Sequence, residues 1–108
     1  MTTKICQGIS DISDSYSGFI IDQWGVLHNG EEPYKGVVDC LKELKDRQKF
    51  IIILSNSGKR AEINEDRMKK LGVPKNHYDL MLTSGEVTWQ GLKNQDDDYF
   101  SDLGEKCF

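Results

Sequence analysis

The sequence predicts an α/β fold: a Rossmann-like parallel sheet with flanking helices. Three observations carry this. Residues 18–22 ("GFIID") and 50–55 ("FIIILS") are short, β-branched apolar runs, the pattern of strands buried on both faces. Helical periodicity separates them, and the alternation then repeats. A strand–helix–strand–helix–strand–helix order implies right-handed crossovers and parallel pairing.

The elements follow in turn. The first strand ends at Asp22. A helix is expected from about Pro33 to Gln48, since proline suits a first helical turn and Val37, Leu41 and Leu44 form one stripe. Residues 50–55 are the second strand. A second helix, roughly Lys59 to Leu71, turns Ile63, Met68 and Leu71 inward. It stops at Gly72, with Pro74 beyond. Residues 78–82 ("YDLML") form a weaker third strand. "TSGE" then opens a third helix, with Thr83 and Glu86 at capping-box spacing.

The totals narrow the function. At 108 residues, 37% hydrophobic and 30% charged, the chain has the balance of a globular domain. A net charge of -4, with basic residues scattered and runs no longer than Lys59-Arg60 and Lys69-Lys70, leaves no footprint for nucleic acid. No apolar run approaches the roughly 18 residues of a membrane span, and "MTTKICQGISDISDS" has no signal-peptide core. Cys6, Cys40 and Cys107 are odd in number and far apart. They argue for reduced thiols in a cytoplasm, against a disulfide framework and against zinc. His28 and His77 are not spaced as ligands and read as loop residues.

In parallel α/β sheets function sits outside the carboxyl ends of the strands. Two ends here are polar: "DQWG" after the first strand and "SNSGKR" after the second. Asp22 ends a buried strand, Gly25 lets the backbone turn, and successive N–H groups in such a turn form an anion nest. Ser55, Asn56 and Ser57 lie at the neighbouring tip. A carboxylate nucleophile beside amide donors and a hydroxyl is equipment for phosphoryl transfer through an aspartyl-phosphate. "SGKR" is not a phosphate loop of the G-x-x-x-x-G-K-[ST] type, because Ile53 holds the first glycine's place and Arg60 that of Ser/Thr. Taken singly, an Asp ending a strand or a Ser-Asn-Ser-Gly run is ordinary turn composition. Their pairing on successive strand tips is what points to a site.

"FIIDQWGVLHNG", "FIIILSNSGKR", "LGV" and "LTSGE" together resemble the haloacid dehalogenase-like superfamily. The resemblance covers residues 16–108 and is closest to the class IIA branch, within it to a subgroup with Asp-x-Trp-Gly as first motif. It implies that Asp22 is nucleophile and metal ligand, that the Trp24 backbone carbonyl is a second ligand to Mg2+, and that Gly25, Val26, Ser55 and Asn56 bind phosphate. "HNG" would be the tip of a flap hairpin, and Asn-Gly independently favours a tight turn. The family's second motif aspartate, a general acid/base, is replaced by Trp24. Losing a general acid costs roughly 10²–10⁴-fold in rate, or about 3–5 kcal/mol of barrier.

The resemblance further implies a small phosphorylated metabolite as substrate. It also implies that a lysine and an acidic pair of the site lie beyond a cap domain. The chain therefore reads as an amino-terminal piece: residues 1–15 a leading segment, 16–98 a partial core, 99–108 the approach to the cap. It is expected to be incompetent alone. With later strands lacking, the first strand's free edge is expected to pair with a second copy unless residues 1–15 cover it. A non-catalytic binding or assembly module keeping the fold is the alternative. A phospho-acceptor receiver domain is excluded by order, since receivers carry their aspartate after the third strand.

Overall fold

A computed structural model describes residues 2–106; Cys107, with Met1 and Phe108, lies outside the described residues. Three strands form one parallel sheet in the order β1-β2-β3: β1 Gly18–Asp22, β2 Phe50–Ser55 and β3 Leu80–Thr83. The register pairs Gly18 with Phe50 and Asp22 with Leu54, then Ile52 with Leu80 and Ser55 with Thr83. Strand tips are thereby aligned, and the α/β class and parallel pairing are as expected.

Helices α1 (Val37–Asp46), α2 (Ala61–Lys70) and α3 (Ser84–Asn94) follow the strands in turn. Helix α1 starts four residues later than expected. Pro33 instead forms an antiparallel bridge with His28, and Gly36 turns the chain into the helix at φ 85°. Both α1 and α2 end in the doubly bonded carboxyl-terminal cap. In α2, Val73 N–H reaches Met68 carbonyl (2.9 Å) and Gly72 N–H reaches Lys69 carbonyl (3.0 Å), with Gly72 left-handed. In α1 the left-handed place is held by Gln48, at φ 60°.

The second helix begins at Ala61, and its buried stripe is Ala61, Asn64 and Met68, the residues at spacings of three and four. Ile63, expected inward, is 50% exposed. Strand β3 starts two residues late. Asp79 meets β2 partly with its side chain, its carboxylate accepting Ile51 N–H at 2.7 Å and Lys45 Nζ at 2.7 Å. That ion pair holds the Asp79 carboxyl below its usual range, its hydrogen bond to Lys45 first and that to Ile51 second.

Burial alternates along the strands instead of covering both faces. Ile51, Ile53, Met81, Leu41, Leu44, Met68 and Val73 form the core between the sheet and α1/α2. The other face carries Ile20, Leu54 and Leu80, all exposed; Ile20 is 70% exposed. Phe50 N–H donates to Ser17 carbonyl at 3.0 Å. With the register given, ladder alternation then turns the N–H and C=O of Gly18 and Ile20 away from β2. Among the described residues no backbone hydrogen bond from 2–15 reaches Gly18 or Ile20, and Ile9, Ser10 and Ser13 lie against Cys40, Glu43 and Leu44 of α1. Residues 97–103 form turns, with the Phe100 ring against Gly91 of α3. Among the described residues no helix is long and apolar enough to cross a membrane.

Candidate active site at the strand tips

Asp22 and Ser55 end neighbouring strands, and they line one open crevice of about 550 Å³ with Ile20, Leu54, Asn56 and Ser84. Asp22 is exposed, and its Oδ1 accepts the following Gln23 N–H at 2.8 Å. Ser55 is buried; its Oγ accepts Ser57 N–H at 3.2 Å. Because parallel strands share direction, both groups reach the same end of the sheet without any contact between them in sequence.

The loop after β2 is fastened to the start of α3. Thr83 Oγ1 donates to Lys59 carbonyl at 2.7 Å and accepts Glu86 N–H at 2.9 Å. Gly85 N–H donates to Ser57 carbonyl at 3.0 Å. The expected capping box is therefore half made. The Glu86 carboxylate turns instead to Arg60 (2.7 and 3.0 Å) and to Ala61 N–H (3.0 Å), capping α2. These hydrogen bonds, led by the one from Arg60, pull the Glu86 carboxyl down to about 2. Trp89 stacks on the same guanidinium, 3.6 Å from ring centroid to Cζ. Arg60 and Glu86 thus tie the start of α2, just after the Ser55–Ser57 loop, to the start of α3.

The turn after Asp22 differs from expectation in its donors. Gly25 N–H is bonded to His28 carbonyl at 2.9 Å, and Val26 N–H to Gln23 carbonyl at 3.4 Å. Both close the turn on itself, so neither points freely at an anion. Among the described residues the Trp24 N–H is the amide of Gln23–Leu27 with no acceptor. Asn29 and Gly30 do form a hairpin tip. Asn29 N–H reaches Glu32 carbonyl (3.1 Å), Tyr34 N–H reaches Leu27 carbonyl (3.0 Å), and Asn29 Oδ1 accepts Glu31 and Glu32 N–H, both at 2.9 Å.

The indole of Trp24 is not among the crevice walls. It packs edge-on against His28, centroids 4.7 Å apart, and against Gly30, where a Cβ would lie 2.5 Å from the ring. His28, expected as a plain loop residue, is 1% exposed; its Nδ1 accepts Gly30 N–H at 2.9 Å, which puts the proton on Nε2. Burial first, then the Arg67 charge, lowers its pKa, so the ring is neutral near pH 7. Gln23 is also fully buried, with neither amide atom bonded to protein. Nothing in the local sequence marks these two as interior. The free thiol of Cys40 is pushed up by burial and by Glu43, so it stays protonated.

As for Mg2+, the crevice offers one carboxylate, Asp22, and neutral oxygens of Ser55, Asn56 and Ser84. No group of three or more His, Cys, Asp or Glu gathers among the described residues. Magnesium is held by one or two carboxylates with several waters kept, so this donor set fits a weakly held ion.

A carboxylate and a hydroxyl at adjacent parallel strand tips define a class of α/β proteins acting at the carboxyl edge of the sheet. The chain belongs to the haloacid dehalogenase-like hydrolase family, whose sequence pattern it matches over residues 19–107. It is similar to a haloacid dehalogenase-like hydrolase from Brucella suis 1330, at 35% identity and a TM-score of 0.71, over 79% of this chain and 33% of that one. It is also similar to a hypothetical protein from Pyrococcus horikoshii OT3, at 28% identity and a TM-score of 0.63, over 76% of this chain and 31% of that one. The chain thus spans about a third of the length of those two structures. A search of curated proteins found no match.

Proposed function

We propose that Asp22 is the nucleophile of a phosphoryl-transfer site acting on a small phosphorylated metabolite, in a cytoplasmic protein of the class IIA branch. The observation that carries this is the shared crevice of Asp22 and Ser55. An Asp22 Oδ attacks phosphorus, the bond from phosphorus to the leaving oxygen breaks, and an aspartyl-phosphate results. Water then cleaves the acyl phosphate, returning the carboxylate and inorganic phosphate. In this reading the Ser55 hydroxyl, which lines the crevice, and the Trp24 N–H, which has no acceptor among the described residues, would donate to the phosphoryl oxygens. Asp22, the Trp24 carbonyl and the neutral crevice oxygens would hold Mg2+, which when bound offsets charge on the phosphoryl group.

With one carboxylate in the crevice and an indole in place of a general acid, turnover by these residues alone is expected to be negligible. Phosphorylation of Asp22 is the more sensitive test. The chain is incubated with acetyl phosphate and Mg2+ and followed by intact mass and peptide mapping. A phosphate adduct at Asp22 that disappears in Asp22→Asn supports the reading; no adduct on the unaltered chain refutes it. Rapid pNPP turnover lost in Asp22→Asn would overturn the expected incompetence. The engagement of Trp24 in packing favours the second reading, a module that binds without turnover. That reading predicts phosphate binding without any adduct.

A further inference from the structure

The guanidinium of Arg67, on α2, meets the turn after Asp22 at two points. Its Nη1 donates to Gly30 carbonyl at 3.3 Å, and its Cζ lies 5.1 Å from the Trp24 ring centroid. Arg67 is half-buried, and no other residue of α2 is bonded to the hairpin among the described residues. The indole itself is seated on Gly30, which has φ 102° and no room for a Cβ. Trp24, Gly30 and Arg67 thus form a closed set of three contacts. Each fixes the next, and together they join the nucleophile's loop, the hairpin tip and α2.

We propose that Arg67 is a positioning residue that clamps this loop. Through the indole it sets the backbone of Trp24, and so the amide and carbonyl next to Asp22. The tryptophan that stands where a second carboxylate is expected is the platform on which the clamp closes. A cation over an aromatic face with one charge-assisted hydrogen bond is a sufficient source of hold. A smaller side chain at residue 24 would leave the guanidinium only the Gly30 carbonyl. The inference rests on the proposed reading of Trp24 as a backbone ligand beside Asp22.

The test compares Arg67→Met and Arg67→Lys with the unaltered chain by amide hydrogen exchange. Asn29 and Tyr34 report the hairpin, and Leu71, whose N–H bonds to the Arg67 carbonyl at 3.0 Å, reports α2. Arg67→Met should raise exchange at Asn29 and Tyr34 roughly tenfold, equivalent to about 1.4 kcal/mol, with Leu71 unchanged. Arg67→Lys, which keeps the cation, should recover most of the protection. Unchanged exchange at Asn29 and Tyr34 would overturn the clamp. If Leu71 loosens too, the effect of Arg67→Met is measured again in a Trp24→Leu background: a smaller rise in exchange at Asn29 and Tyr34 there supports the clamp, and an equal rise in both backgrounds refutes it.

A Mg2+ titration followed on the Asp22 and Trp24 amide resonances separates the two readings. Loss of Arg67 should weaken Mg2+ binding by about tenfold, as loss of a ligand-orienting partner does. Hairpin loosening with Mg2+ affinity intact would overturn the positioning role. If the unaltered chain binds no Mg2+, the metal reading of Asp22 and Trp24 fails, and the positioning role with it. The exchange data then show whether the clamp exists.

Discussion

Gly85→Ala sets two effects of opposite sign against each other. Gly85 lies in the first turn of α3, at an ordinary helical φ, where alanine is favoured over glycine by up to about 1 kcal/mol. An added Cβ, however, would lie 2.3 Å from the Gly58 carbonyl oxygen and 2.6 Å from that of Lys59. These are backbone atoms with no rotamer to change, so the loop after β2 must move. Such overpacking costs roughly 1–3 kcal/mol, and the displaced Gly85 N–H to Ser57 carbonyl bond adds about 1 kcal/mol. The clash therefore wins, with a net loss of about 1–3 kcal/mol after the helix gain. Urea unfolding of both proteins, comparing midpoints at a common slope, gives the difference directly. Gly25→Ala is the comparison: nothing lies within 4 Å of its Cβ, and only the φ of 78° opposes it. That strain is worth about 1–2 kcal/mol. A Gly85→Ala protein as stable as the parent, or more so, would mean the loop is not held on α3 as described.

Three further outcomes are expected. The Glu86 carboxyl is depressed to about 2 in the folded chain from an ordinary 4.5. The stability it contributes is thus full above about pH 4.5 and lost as pH falls toward 2. In Glu86→Gln that part of the acid-side slope should vanish from urea midpoints measured at stepped pH, and an unaltered slope would count against it. Gln48→Gly should stabilise by about 0.5–1 kcal/mol, because glycine occupies the left-handed cap without strain; a loss in thermal or urea unfolding would show that the Gln48 side chain earns its place. We also expect the chain to self-associate through the free edge of β1 and the apolar face beside it. Light scattering after size exclusion, across a dilution series, should show dimers or larger species, and a monodisperse monomer at high concentration would refute this.

What could be read in advance follows the range of the interactions. Strands β1 and β2 are marked by their own residues, and Asp22 and Ser55 by the rule that strand tips align. Helix starts were harder. Pro33 fits a first helical turn and a hairpin bridge equally well, and only the pairing with His28 decides. The inward face of α2 follows the helical period: Asn64 and Ala61 lie four and seven residues before Met68, on its side, whereas Ile63, five residues before it, is turned roughly 140° away and is exposed. The open face bearing Ile20 and Leu54 has the same apolar composition as a covered one; covering is supplied by other elements. Arg67 reaches Gly30 from 37 residues away, and the burial of Gln23 and His28 likewise has no local signature.

The order β1-β2-β3 has a consequence in time. Each strand lies beside the one made just before it, so the sheet can lengthen as the chain emerges during synthesis, each pairing waiting only on the helical crossover between the two strands. Among the described residues the strand ending at Asp22 pairs with β2, which is complete at Ser55. The Asp22 carboxylate can thus be aimed early in synthesis, before α2 brings Arg67 to its loop.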